Sequence, residues 1–199
     1  MLQYPGLAEA VPLLALAMPW IGHWQTRNRG TVCGSIAHAD PSAELPLCLA
    51  TLGGEVVLEN RRGKVRRVVA RDFFRGVLTT DRHPDELITE VRFPLARPGA
   101  EYRFHEVAMR HGDFAIVALA AVIDSNRVTL GVGGVADRPV SRELARHDDP
   151  SEALNALAWS LGAEDDAHAT AAYRRQLIRE LGRELIAGGP SDEENAHAR

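Results

Sequence analysis

The residues with the most chemical potential fall in one run, from Gln25 to Pro46. There the Thr31 and Ser35 hydroxyls, the Glu44 carboxylate, two glycines (Gly30, Gly34) and two prolines (Pro41, Pro46) follow one another closely. Small side chains let a ligand approach main-chain N–H groups, and glycine permits the positive φ that turns several of them inward. Hydroxyl and backbone donors suit a pyrophosphate, whereas a carboxylate accepts from sugar or polyol hydroxyls. The run reads as a loop that wraps an anionic or hydroxyl-rich ligand such as a dinucleotide. A purely structural turn, its hydroxyls and carboxylate bonded to nearby backbone, fits the same residues. Chemistry alone leaves both open.

Other sets of reactive residues carry less. Cys33 and Cys48 are the only cysteines and stand in no metal-ligand spacing, which argues against an iron–sulfur cluster or structural zinc built from this chain. The eight histidines lack the i,i+4 pair of a metal helix. No Gly-x-Ser-x-Gly elbow accompanies a Ser/His/Asp set. Gly131-x-Gly133-x-x-Ala136 matches a dinucleotide fingerprint in form only, because Asp137-Arg138-Pro139 follows where a helix would have to open. Those glycines fit close packing of a strand beneath helices.

The elements that would position the run read as follows. Leu7, Val11, Leu14 and Met18 recur at helical spacing, with Pro12 predicting a kink or a later start. Leu45 to Leu52 forms a short helix, with Pro46 tolerated in its first turn and Gly53-Gly54 ending it. Cys48 is a small core residue of that helix. Residues 55–59 and 64–69 flank Asn60-Arg61-Arg62-Gly63 as a β-hairpin, and Glu86 to Phe93 is a further strand. Prolines and a glycine between Pro94 and Ala100 suggest a junction. Beyond it, Tyr102–Met109, Phe114–Ile123 and Arg127–Val135 suggest a three-stranded antiparallel meander. Three helical segments follow, around 142–146, 151–161 and 167–186, before a polar tail over 188–199 that is expected to be disordered.

Composition bounds the function. A chain of 199 residues with 45% hydrophobic and 25% charged residues is long enough for a substantial core. Its net charge of -4 argues against nucleic-acid binding. Arg61, Arg62, Lys64, Arg66 and Arg67 make one local basic patch, either a solvated hairpin or a docking surface. The apolar run from Ala10 to Ile21 is too short to span a bilayer and lacks a basic leader. Unpaired cysteines make a reducing cytoplasm the default compartment.

The run from Arg27 to Pro41, with Gly30-Thr31-Val32-Cys33-Gly34-Ser35 at its centre, resembles the second flavin-binding motif of the FAD subunit in molybdenum hydroxylases, the carbon monoxide dehydrogenase and xanthine dehydrogenase family. The resemblance continues at Asp72-Phe73-Phe74, Asp85-Glu86-Leu87-Ile88, Arg110-His111-Gly112-Asp113-Phe114, Gly133-Gly134-Val135-Ala136-Asp137-Arg138-Pro139 and Tyr173-Arg174-Arg175. It implies an α+β fold: the C-terminal lobe of a PCMH-type FAD-binding domain over 1–97, then a three-stranded antiparallel sheet with three helices over 98–187. It also implies FAD as cofactor, and an electron-transfer role between an iron–sulfur small subunit and an external acceptor. Molybdenum cofactor and [2Fe-2S] clusters would belong to partner subunits, the molybdenum to a large subunit. Carried over by position, Thr31, Gly34 and Ser35 would contact the FAD phosphates or ribityl chain, and Glu44 would bond FAD hydroxyls. Ile88 would pack near the isoalloxazine, and His105 would lie near the flavin. Cys33 replaces a glycine usual in the family, and would crowd the ligand if its φ were positive. The family's first glycine-rich motif, of the Ala-Gly-Gly-Gln-Ser-Leu kind, has no counterpart here. A remnant that docks partners without flavin, or a nucleotide-binding module without redox activity, are the competing expectations.

Overall fold

The computed structural model describes residues 4–146 and 149–188. Apart from Gly188, the expected tail lies outside these residues.

The first half is built from short helices and a small sheet. Helices α1 (Leu7–Ala10) and α2 (Pro12–Ala17) are separated at Val11, whose φ of -142° and ψ of 73° leave the helical region. Pro12 forces that break and then opens α2, where its missing N–H costs little. After a 3₁₀ turn (Met18–Trp20) come α3 (Trp24–Arg29), α4 (Val32–His38) and α5 (Glu44–Leu52). As the sequence predicts, α5 carries Pro46 in its first turn and stops at Gly53, whose φ of 68° is the left-handed cap conformation. The predicted hairpin is β1 (Glu55–Asn60) with β2 (Val65–Val69). A helical turn, α6 (Ala70–Phe73), and a small ladder of β3 (Phe74–Gly76) with β4 (Thr79–Thr80) lead to β5 (Glu86–Arg92). Strand β5 pairs antiparallel with β1, giving the order β2-β1-β5.

The second half is a four-stranded antiparallel sheet in the order β6 (Glu101–Ala108), β7 (Ala115–Ile123), β8 (Arg127–Gly133), β9 (Val140–Ala145). The α+β class stands, but the sheet has four strands rather than three. The segment expected to be a helix around 142–146 is instead an edge strand. Its alternation explains this: Val140 and Leu144 turn to the core, while the Ser141 hydroxyl on the other face donates to the Ala50 carbonyl at 3.2 Å. Edge pairing with β8 thus outweighs local propensity. Two helices remain among the described residues of this half, α7 (Ser151–Ser160) and α8 (Ala171–Ala187).

Strand β7 is buried along its whole length. Ala115, Ala118, Ala120 and Val122 join the core beneath α2 and α5, whereas Val117, Leu119, Ala121 and Ile123 join a second core beneath α7 and α8. The small alanines let α5 sit close to the sheet. Gly131 in β8 does the same: a Cβ there would stand 1.9 Å from the Thr51 hydroxyl oxygen. Gly131 and Gly133 are therefore packing glycines in an antiparallel strand, as their sequence context predicts.

Candidate functional site

The run first read as a loop is largely helical. Thr31 is the N-cap of α4, with φ -126° and ψ 155°, and its Oγ1 accepts the Gly34 N–H at 3.0 Å. A capping hydroxyl satisfies one of the orphan donors of the first turn, which starts a helix over a stretch rich in small residues. Gly34 is tied to this cap by space, since a Cβ on it would lie 2.8 Å from Thr31 Oγ1. The helix ends at Ala39, a non-glycine residue with φ 55°. The turn beyond it is closed by Asp40, whose Oδ1 accepts the Ser42 N–H at 2.8 Å and whose carbonyl accepts the Ala43 N–H at 3.1 Å. The Pro41 carbonyl accepts the Gly134 N–H at 2.9 Å, so this turn is fastened to the end of β8. Glu44 then opens α5.

The structure brings five of the six expected residues to one region. Thr31 and Gly34 lie exposed on α4 and Ser35 is half-buried beside them. Helix α4 packs against β5, the strand that carries Ile88, which is partly buried against the same core. Glu44 follows at the head of α5. His105 is the exception. In β6, Tyr102 and Phe104 face the core under α2 and α5, while the Arg103 guanidinium reaches the Leu185 carbonyl of α8. Strand alternation therefore puts His105, in register with Leu119 of the second core, on the face turned to α8. Cys33 has helical geometry within α4 rather than a positive φ, so the condition for crowding a ligand is not met.

Electrostatics single out two carboxyls. Glu44 is 8% exposed, and burial pushes its carboxyl up to about 7, helped by Asp40 and opposed by its own backbone N–H. Glu106 is 4% exposed and neither carboxyl oxygen has a hydrogen-bond partner. Burial, and then the charge of Glu44, push it up to about 8. The Cys48 thiol, fully buried in α5, is driven far above its ordinary value by burial and then by the same two carboxylates. It is a core residue, as its place in the sequence predicts. Sequence reasoning missed Glu106. The signal was available: Glu106 is an acidic residue in the inward phase of an alternating strand, after Tyr102 and Phe104.

A second charged cluster holds β5 in place. Arg66 donates to both oxygens of Glu86 at 2.7 and 2.8 Å and to Asp81 at 2.7 Å. These bonds hold the Glu86 carboxyl down at about 2. Arg66 thus leaves the basic patch read from the sequence and spans β1 to join the outer strands. A surface cavity of about 540 Å³ lies elsewhere, between the end of α5 and β9, where Thr51, Arg71, Arg97, Ser141 and Arg142 line it.

Residues 1–96 match the FAD binding domain in molybdopterin dehydrogenase. The nicotine 6-hydroxylase medium subunit of Paenarthrobacter nicotinovorans is 35% identical, over 92% of this chain and 68% of its own length. The 6-hydroxypseudooxynicotine dehydrogenase complex subunit alpha of the same organism is 34% identical, over 91% and 66%. Among solved structures, carbon monoxide dehydrogenase from Hydrogenophaga pseudoflava superimposes with a TM-score of 0.84 at 26% identity, covering 94% of this chain and 69% of that one. Fold and domain match thus define an α+β protein of the FAD-binding class built on antiparallel sheets. The chain belongs to the family of FAD-binding medium subunits of molybdenum hydroxylases. It spans about two thirds of the length of the two curated relatives named above.

The residues present fit that cofactor. Gly34 leaves the outer face of the first turn of α4 without a side chain, beside the hydroxyls of Thr31 and Ser35. Glu44 supplies a nearly buried acceptor of the kind that sugar hydroxyls require. Among the described residues no group of three or more His, Cys, Asp and Glu side chains is arranged to hold a metal ion. No helix among them is long and apolar enough to cross a membrane.

Proposed function

We propose that this chain holds FAD as the electron-transfer component of a molybdenum-containing hydroxylase or dehydrogenase, working with an iron–sulfur small subunit and a molybdenum-binding large subunit in the cytoplasm. The observation that carries the reading is the succession of a threonine-capped first turn with a bare glycine, Thr31 to Gly34, and a nearly buried carboxyl at the head of the next helix, Glu44. Both lie inside the segment that matches the FAD-binding domain. FAD, when bound, supplies the capacity to take up electrons and to pass them on to an external acceptor.

The chain's own residues bind and orient. Ser35 and the α4 first turn with Gly34 take the phosphates or the ribityl chain, and the Thr31 hydroxyl keeps that turn in shape through its bond to Gly34 N–H. Glu44 accepts sugar hydroxyls, and its burial makes each of those bonds count for more than it would in water. Ile88 packs near the isoalloxazine from β5. His105, on the far side of the sheet, is outside this set. Residues 1–97 form the flavin-binding part and 98–187 a C-terminal domain like that of carbon monoxide dehydrogenase flavoproteins.

Titration of the purified chain with FAD, followed by quenching of flavin fluorescence, tests the reading. Saturable quenching that weakens in Glu44→Gln and Gly34→Ala is expected. Absence of quenching in the unaltered chain would refute flavin binding by this chain. Co-expression with iron–sulfur and molybdenum subunits checks the assembly. Co-purification without flavin would instead identify a docking module.

A further inference from the structure

Glu106 lies on the face of β6 turned to α2 and α5, in register with Ala118 of β7. Helix α2 and strand β7 carry no titratable side chain. The titratable groups that face Glu106 are Glu44 and Cys48, both of α5, with Asp40 acting on Glu44 from the preceding turn. Among the described residues no cation answers it. A folded chain rarely seals a carboxyl away with both oxygens unpartnered, and such groups call for a functional explanation. Those oxygens are closed to solvent. Whatever Glu106 does to the site it does through Glu44.

We propose that Glu106 is a positioning residue for Glu44: while neutral it leaves Glu44 as the single negative charge of the pair, facing sugar hydroxyls, and when it ionises it loosens the hold of the site on FAD. This rests on the flavin reading given above. Two carboxylates sharing a buried region repel, so the second ionisation is resisted and occurs last. Once it occurs, a second negative charge stands behind Glu44, in a medium of low polarity. That charge repels Glu44 and also the anionic pyrophosphate of FAD. The inner carboxyl therefore sets an alkaline limit to cofactor retention. Its elevated proton affinity, from burial and from Glu44, places that limit above neutrality.

The test is the FAD dissociation constant of the full chain, read by fluorescence quenching at pH 6, 7, 8 and 9, for the unaltered protein and for Glu106→Gln. In the unaltered chain the constant should rise about five- to tenfold between pH 7 and 9, the size of one added like charge at close range. In Glu106→Gln only the Glu44 ionisation near 7 remains, so the constant should match the unaltered chain at pH 7 and change no more than about twofold over that interval. A second measurement compares the same two proteins. The infrared carbonyl stretch of a protonated, buried carboxylic acid should be present at pH 7 in the unaltered chain beyond the share that Glu44 gives in Glu106→Gln, and that excess should fade over the range in which affinity falls. Parallel pH profiles in the two proteins, or no such band at pH 7, would overturn the role of Glu106 while leaving flavin binding intact. No binding by the unaltered chain at any pH would overturn both.

Discussion

Replacing Arg66 by methionine keeps most of the side-chain stem but removes the guanidinium that joins β2 to β5 across β1. Glu86, its side chain 7% exposed, then loses the cation that answers both of its oxygens. Breaking a buried pair from one side costs about 3–5 kcal/mol, because the remaining charge is stranded. The Arg66 side chain is 29% exposed, so water relieves part of this and about 2–3 kcal/mol is expected at pH 7. The pH dependence makes the test sharper. In the unaltered chain the Glu86 carboxyl sits at about 2, below its ordinary 4.5. The stability from that pair is therefore present above pH 4.5 and is lost as pH falls towards 2. In Arg66→Met the carboxyl keeps only the His83 N–H, at 2.8 Å, against its burial, so its charge is held less well and acid relieves it. The difference between the two proteins should be largest at pH 7 and small at pH 3. Urea unfolding followed by circular dichroism at pH 7, 5 and 3 measures it. A difference below about 0.5 kcal/mol at pH 7, the size of an inert surface change, or one that does not shrink with acid, would refute the reasoning.

Thr31→Ala removes the cap of α4 and should cost about 1 kcal/mol in urea unfolding, whereas Thr31→Ser should retain most of the stability and of the FAD affinity. Gly131→Ala drives a methyl to within 1.9 Å of the Thr51 hydroxyl and 3.0 Å of Leu47. A loss of about 1–3 kcal/mol or more should follow, partly recovered by Thr51→Ala in the same chain. In the unaltered chain Glu44 at about 7 and Glu106 at about 8 bind protons more tightly when folded than at their ordinary 4.5. Their contribution is therefore complete below pH 4.5 and is lost as pH rises through 7 and 8, so thermal scans should show the midpoint falling between pH 6 and 9.

Much of the framework was legible in residue order. Pro46 and Gly53 bracket α5 for reasons of backbone chemistry that operate within a few residues. The Asn60–Gly63 turn fixes the hairpin in the same local way. Strand β9 was not legible, because Arg142 and Glu143 suit a helix and only the free edge of β8 makes them extended. The Gln25–Pro46 run was recognised for its chemistry but misread in shape. Glycine and serine inside α4 suggest a loop until the Thr31 cap and the Asp40 turn, with its tie to Gly134, are seen to hold the helix. At the site, Glu44 could be carried over by position. Glu106 could not, since its meaning depends on two unpartnered oxygens and on a neighbour reached only through the tertiary fold. His105, one residue earlier, shows how strongly a single step along a strand decides which side of a sheet a side chain serves.

Strand β7 is shared by both cores, and its sharing governs how the protein is made. Helices α2 and α5 bury their apolar stripes against Ala115, Ala118, Ala120 and Val122, which leave the ribosome long after those helices do. At synthesis rates of about 5–20 residues per second these segments, too short to hold as helices alone, wait for several seconds with their apolar residues uncovered. Apolar surface uncovered in this way is prone to aggregate, so mutations that slow the pairing of β6 with β7 should lower soluble yield before they lower the stability of the finished fold.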